Sequence, residues 1–291
     1  MENNNIMQLL LDKEMNTPDK LLKPDFSSRT GRELLAFYLH AKFKQLLAFD
    51  KKQSEPMIVE MSPSFPNSFS RRLITNPTKR FLIGITGESA SGKSTICKAI
   101  KTVISELSMP VSILSTDNYF NDISGLIEKH GSFDKLIESG YDIDAPSSFQ
   151  LDTLRQDLLD LSEGVDIYAP TYLPNGTGVS VPKSLAVASE KFIVVEGTAT
   201  MFDAVRDVFD IRLYVESDNE IRKQRFMKRA CEERNQTLEN AVQQWNYLES
   251  AGCHYVRPHR NSADFVLNGN ADLNYFSQIL EYLYTITNSF Q

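Results

Sequence analysis

Gly87-Glu88-Ser89-Ala90-Ser91-Gly92-Lys93-Ser94 sets two glycines around four small or polar residues and follows them with a lysine and a hydroxyl. That spacing suits a polyphosphate. The glycines let backbone N–H groups turn inward, a helix N-terminus adds positive potential, and Lys93 reaches the β- and γ-phosphates. The hydroxyl of Ser94 is placed to ligate Mg²⁺. Gly87, Glu88, Ser89, Ala90, Ser91, Gly92, Lys93, Ser94 and Thr95 are therefore the expected contacts of ATP. A second feature is Phe192-Ile193-Val194-Val195-Glu196-Gly197, an apolar run ending in an acid. Such an acid commonly accompanies a phosphate loop and holds Mg²⁺ or its water shell, so Ser94 and Glu196 are the expected metal residues.

Binding a nucleoside triphosphate leaves open what is done with it. The base-reading Asn-Lys-x-Asp of a GTPase is absent, and so is the Leu-Ser-Gly-Gly of a transport ATPase. Small-molecule kinases remain. They need an acid to take the acceptor's proton, an acceptor pocket, and cations for the transferring phosphate. Asp117, in Ser115-Thr116-Asp117-Asn118-Tyr119-Phe120, is the expected base. The cations are concentrated in one place: Arg222, Lys223, Arg225, Lys228, Arg229 and Arg234 fall within 13 positions. Arg222, Arg225 and Arg229 share one helical face. The segment reads as a lid that clamps phosphate, with Arg225 and Arg229 acting on the transferred group.

These residues need elements to hold them. Apolar runs at 81–86, 111–115, 191–195, 210–216 and around 264 read as strands. Helices are expected at 92–107, 147–163, 218–234, 237–251 and 272–287. Buried strands alternating with helices predict a doubly wound α/β fold with a mainly parallel sheet and a helical lid. Ligands in such folds lie beyond the carboxyl ends of the strands. The second strand is expected beside the first, which would turn Asp117 toward the γ-phosphate. Trp245, Tyr247 and Tyr255 follow the lid and read as core positions or as flanks for adenine.

The chain has 291 residues and a net charge of −7. Residues 1–80 hold 13 Lys/Arg and 9 Asp/Glu, against 18 and 29 in 81–291. An acidic catalytic region is poorly suited to nucleic acid or to an anionic membrane, so neither is an expected partner. No run approaches the roughly 20 apolar residues of a membrane span. The N-terminus lacks the pattern of a secretory signal. Cys97, Cys231 and Cys253 have no metal spacing and read as reduced thiols, pointing to a cytoplasmic protein. Thr30 and Glu33 form a capping-box pattern before a helix reaching Leu47, and 54–79, with four prolines, read as an extended connector. The expected division is an N-terminal extension, 1–80, and a kinase domain, 81–291. The extension reads as a tail with a docking helix, or as a contact for a homo-oligomer or regulator.

Taken in order, Gly84-Ile85-Thr86-Gly87 with the phosphate loop, Thr116-Asp117-Asn118-Tyr119-Phe120, Tyr141-Asp142-Ile143-Asp144-Ala145-Pro146 with Phe149, Ala169-Pro170-Thr171-Tyr172, Val195-Glu196-Gly197, the Arg222–Arg234 segment and Ser262-Ala263-Asp264-Phe265-Val266-Leu267 resemble the uridine kinase family, relatives of phosphoribulokinase and pantothenate kinase. The resemblance covers about 81–285. It implies that Asp117 is the base and that Asp144 holds the ribose hydroxyls of a nucleoside. It also implies that Tyr172, with Tyr119, lines the base pocket, and that Arg222, Arg225 and Arg234 grip phosphate or substrate. The chain departs from the family pattern at Ala145, where the family has histidine, and at Leu173-Pro174-Asn175-Gly176-Thr177-Gly178, where uridine kinases place a histidine and an arginine. The expected activity is ATP- and Mg²⁺-dependent phosphorylation of a small-molecule alcohol acceptor, namely the 5′-hydroxyl of a pyrimidine nucleoside. The alternatives are the same chemistry on a sugar phosphate or pantothenate-like alcohol, or a nucleotide-binding regulator without turnover.

Overall fold

The computed structural model describes residues 56–75, 80–106, 110–173 and 176–271, together with Lys44, Leu47, Ala48 and 50–52. The helices expected over 30–47 and 272–287 fall largely or wholly outside these residues. The first elements come earlier in the chain than expected. Strand β1 (Ile58–Met61) and helix α1 (Phe65–Thr75) occupy the stretch read as a connector. β1 pairs antiparallel with the last strand, and Met57, Ile58, Phe65 and Phe69 are buried in the main core. The division at residue 80 is therefore corrected: the sheet unit begins near Ile58. Pro56, Pro63 and Pro66 misled because they sit outside the ladder or at a helix start, where a missing N–H costs little.

The expected alternation then appears. β2 (Phe81–Gly87) leads to α2 (Lys93–Glu106), and β3 (Val111–Ser115) leads to a short turn of helix at Thr116–Tyr119. Two short helices not foreseen, α3 (Ser124–His130) and α4 (Phe133–Glu138), precede α5 (Leu151–Ser162). An unforeseen antiparallel hairpin follows, β4 (Ile167–Tyr172) with β5 (Ser180–Val187). β6 (Phe192–Glu196), β7 (Ile211–Glu216), α6 (Asn219–Lys228), α7 (Leu238–Ala251) and β8 (Phe265–Asn268) complete the described chain.

The six-stranded sheet has the order β1-β8-β7-β2-β6-β3, and every pairing but β1–β8 is parallel. One correction concerns β3. It pairs with β6, so Glu196 lies between the phosphate loop and Asp117. All seven residues of β2 are buried, as a central parallel strand with both faces covered requires. One face packs α1 and α2 through Phe65, Phe69, Ile96 and Ile100. The other packs α5 through Leu154, Leu158 and Leu161.

Candidate active site

The strand ends converge on a cleft of about 810 Å³. Ser89 through Thr95 line one wall. Gly87 has φ 150°, and a side chain there would strike the Val215 carbonyl; Gly92 has φ 108° beside Gly269. Ala90 between them is also left-handed, at φ 61°. The loop thus turns tightly enough for α2 to begin at Lys93. Lys93 Nζ folds back and donates to the carbonyls of Gly87 (2.6 Å) and Glu88 (2.9 Å). Burial lowers its pKa, while the charges of Asp117 and Glu196 oppose that shift.

Ser94 Oγ donates to Glu196 Oε2 at 3.1 Å, which joins the two expected metal residues. They form a small oxygen pair rather than an all-protein cage, and among the described residues no group of three or more His, Cys, Asp or Glu could hold a metal ion. That fits Mg²⁺, which commonly binds through one or two carboxylates plus phosphate oxygens. Next to Glu196, Gly197 has φ 131°, and a side chain would overlap the Thr116 hydroxyl. The end of β6 and the turn carrying Asp117 therefore meet closely.

Asp117 lies on that turn, its N–H donating to Ser115 Oγ at 3.3 Å. The side chain is reached by solvent but recessed in the cleft. Desolvation raises its pKa, Lys93 lowers it and Glu196 adds to the rise. Asp144 lines the same cleft, and its Oδ2 is shut off from solvent with no hydrogen-bond partner. Desolvation, then Asp142 and Asp117, push its carboxyl up to about 6.

The cations separate into two groups. Arg225, Lys228, Arg229 and Arg234 line the cleft. Arg225 Nη1 donates to the Gly269 carbonyl at 3.3 Å. After Lys228 the helix widens into a π-turn at Arg229–Glu233, a form that often marks functional sites. Burial and the neighbouring Arg234 lower the pKa of Arg229. Arg222, expected to grip substrate, lies elsewhere: it is 1% exposed and does not line the cleft. Its guanidinium lies 5.3 Å from the Trp245 ring centre. It pairs with Glu88 (3.0 Å) and Glu249 (3.3 Å) and donates from Nε to the Ser89 carbonyl (3.0 Å). Burial of so large a cation requires such partners, so Arg222 braces the phosphate loop from behind. Glu88 is corrected with it: its side chain faces this network, and its carbonyl accepts from Lys93.

Tyr119 is also corrected. It is fully buried, and its hydroxyl donates to Asp157 on α5 at 2.7 Å, anchoring the Asp117 turn to the core. Tyr172 is partly buried against Phe120, with ring centres 5.2 Å apart, and it is Phe120 that lines the cleft. Trp245 is core, as its spacing permitted. Tyr247 and Tyr255 instead send their hydroxyls onto Asp142, a member of the Tyr141–Pro146 motif that had no assigned role. Asp142 stands two positions before the acid of interest, and that proximity was the available signal.

A family model described as the Phosphoribulokinase / Uridine kinase family matches residues 82–273. A uridine kinase of Staphylococcus epidermidis is 30% identical over 188 residues, covering 64% of this chain and 86% of that protein. Uridine-cytidine kinase B of Dictyostelium discoideum is 27% identical over 194 residues, covering 66% and 76% respectively. A uridine kinase of Saccharomyces cerevisiae is 27% identical over 206 residues, covering 70% of this chain and 40% of the yeast protein. Among solved structures, one from Silicibacter described as a fructose transport system kinase superposes with a TM-score of 0.54 at 19% identity, over 68% of this chain and 95% of that one. It shares the fold.

Proposed function

The chain belongs to the phosphoribulokinase/uridine kinase family of ATP-dependent phosphotransferases, and on that premise we propose that it phosphorylates the 5′-hydroxyl of a nucleoside, with a pyrimidine nucleoside as the preferred acceptor. One observation carries this reading. Asp144 lines the cleft with a carboxylate oxygen that no protein group satisfies, in the field of Asp117. A buried acceptor left without a donor is costly, and a vicinal diol supplies two donors to one carboxylate. The names of the relatives, uridine kinase and uridine-cytidine kinase, support the same acceptor class.

In the proposed reaction Asp117 takes the proton of the attacking hydroxyl. Desolvation raises its pKa, which makes its ionised form a stronger base than an ordinary aspartate. Lys93 and the loop N–H groups hold the β- and γ-phosphates of ATP. Arg225 and Arg229, whose side chains border the cleft, stabilise charge on the transferring group, and Arg234 assists. Ser94 and Glu196 would hold Mg²⁺. When bound, that ion neutralises charge on the triphosphate.

A second reading keeps this chemistry and takes an acceptor with no base. It is favoured by the segment where uridine kinases carry histidine and arginine. Here Gly178 is wedged against Ile123 and Ile127, with no room for a side chain, and its carbonyl accepts from Ile123 N–H at 2.8 Å. That part of the loop serves packing on α3. Against anionic acceptors stand Asp117 and Asp144 on the cleft wall, with Asp142 hydrogen-bonded to the Asp144 backbone. Steady-state kinetics with uridine, cytidine, a neutral ribose-free alcohol and a sugar phosphate test the proposal. Uridine and cytidine are expected to be the best substrates, with weak discrimination between them. Asp144→Ala is expected to raise the nucleoside KM far more than the ATP KM. A better rate with the ribose-free alcohol, unaffected by Asp144→Ala, would replace the nucleoside reading with the second.

A further inference from the structure

The carboxylate of Asp142, two positions before Asp144, accepts three hydrogen bonds. Tyr247 Oη, from α7, donates to its Oδ1 at 3.1 Å. Tyr255 Oη, from the π-turn following α7, donates to its Oδ2 at 2.7 Å. The Asp144 N–H also donates to Asp142 Oδ1, at 3.1 Å, and Ser148 Oγ donates to the Asp142 carbonyl at 2.6 Å. One side chain thus ties the loop that bears Asp144 to the helical layer that bears the brace around Arg222. The two phenols come from positions eight residues apart and meet the two oxygens of a single carboxylate. Apolar packing alone would not require that arrangement.

We propose that Asp142, clamped by Tyr247 and Tyr255, is a positioning residue for the acceptor: it holds Asp144 in register at the cleft wall and links the acceptor loop to α7. The proposal rests on the reading of Asp144 as the acceptor-binding acid, and it adds three residues that the reading does not use.

The electrostatics have the matching sign. Burial, then the charges of Asp144 and Asp142, raise the pKa of Tyr247, and the hydrogen bond to Asp142 leads the rise for Tyr255. A charge held on Asp142 then disfavours a second one on Asp144. The groups facing Asp144 are Asp142 from its own loop, Asp117 from the turn after β3, Tyr247 from α7 and Lys93 from α2; burial and the two aspartates raise its pKa, Tyr247 and Lys93 lower it. Removing the Asp142 charge must therefore lower the Asp144 pKa.

Two measurements on the full-length chain test this. In the first, kinetics with uridine compare Tyr247→Phe/Tyr255→Phe with the parent protein. Loss of two hydrogen bonds to a charged group is expected to raise the uridine KM about tenfold or more while the ATP KM stays within about twofold. Equal rises in both would reduce the clamp to a general structural contact and overturn the proposal. The second needs no acceptor. Protein labelled with ¹³C at the aspartate carboxyls is titrated by NMR, with the Asp144 signal assigned through Asp144→Asn. Asp144 is expected to titrate near 6 in the parent and at a lower pH in Asp142→Asn. An unchanged midpoint overturns the coupling. If uridine is not phosphorylated but the midpoint moves, the clamp stands and the nucleoside reading alone fails.

Discussion

Lys93 and Asp117 carry opposite formal charges in one recess, and burial acts on both toward neutrality. The charge of each opposes that shift in the other, and Glu196 favours the lysine's charge while disfavouring the aspartate's. Asp117→Asn is expected to retain ATP affinity while turnover falls by roughly 10²–10⁴. The same variant has a stability signature. A carboxyl whose folded pKa is raised binds its proton more tightly when folded, so its favourable contribution is present at low pH and is lost as pH rises through the folded pKa. Asp117→Asn is therefore expected to melt above the parent at pH 8, with the gap closing below the unfolded aspartate value of 3.8. Thermal scans from pH 3.5 to 8 check it. A gap that widens toward acid would contradict a raised Asp117 pKa.

At the scale of elements, the phosphate loop is held from two sides. Lys93 ties it inward, and behind it Arg222 from α6, Glu249 from α7, Arg257 and Glu88 form one ion network. Gly252 makes room for it, since a side chain there would meet Glu88. Trp245 covers the Arg222 guanidinium. Breaking a buried pair leaves an uncompensated charge, which costs more than the pair contributes. Arg222→Met leaves Glu88 and Glu249 sharing Arg257. Urea unfolding is expected to show a loss of about 3–5 kcal/mol. Adding Glu88→Gln is expected to recover part of that loss, because the two sites share partners. A loss within about 0.5 kcal/mol, the range of an ordinary surface substitution, would show that the network is dispensable.

At the scale of the molecule, β1 and α1 make the sheet unit larger than its motifs. Arg72 on α1 pairs with Asp210 ahead of β7 and lies 4.7 Å from the Phe81 ring centre. Phe65 packs edge-on against Phe265, with centres 4.8 Å apart. A chain beginning at Phe81 would leave β8 as an open edge and strip the cover from Phe81 and Phe265. It is expected to aggregate or to lose its cooperative urea transition; an unchanged transition midpoint would show that the segment is only an appendage. No hydrophobic period announced this segment, because β1 is only four residues long and does not alternate, and α1 mixes Ser, Asn and Arg among its apolar positions. The phosphate loop, Glu196, Asp117 and the parallel strands β2, β3, β6, β7 and β8 were legible in the amino-acid sequence itself, since each rests on local chemistry: glycine dihedrals, a strand's apolar run, an acid at a strand end. Three things were decided only by the tertiary structure. They are the insertion of β6 between β2 and β3, the turning of Arg222 away from the cleft, and the convergence of Tyr247 and Tyr255 on Asp142. Each depends on which distant segments pack together, and neither helical spacing nor residue type carries that information.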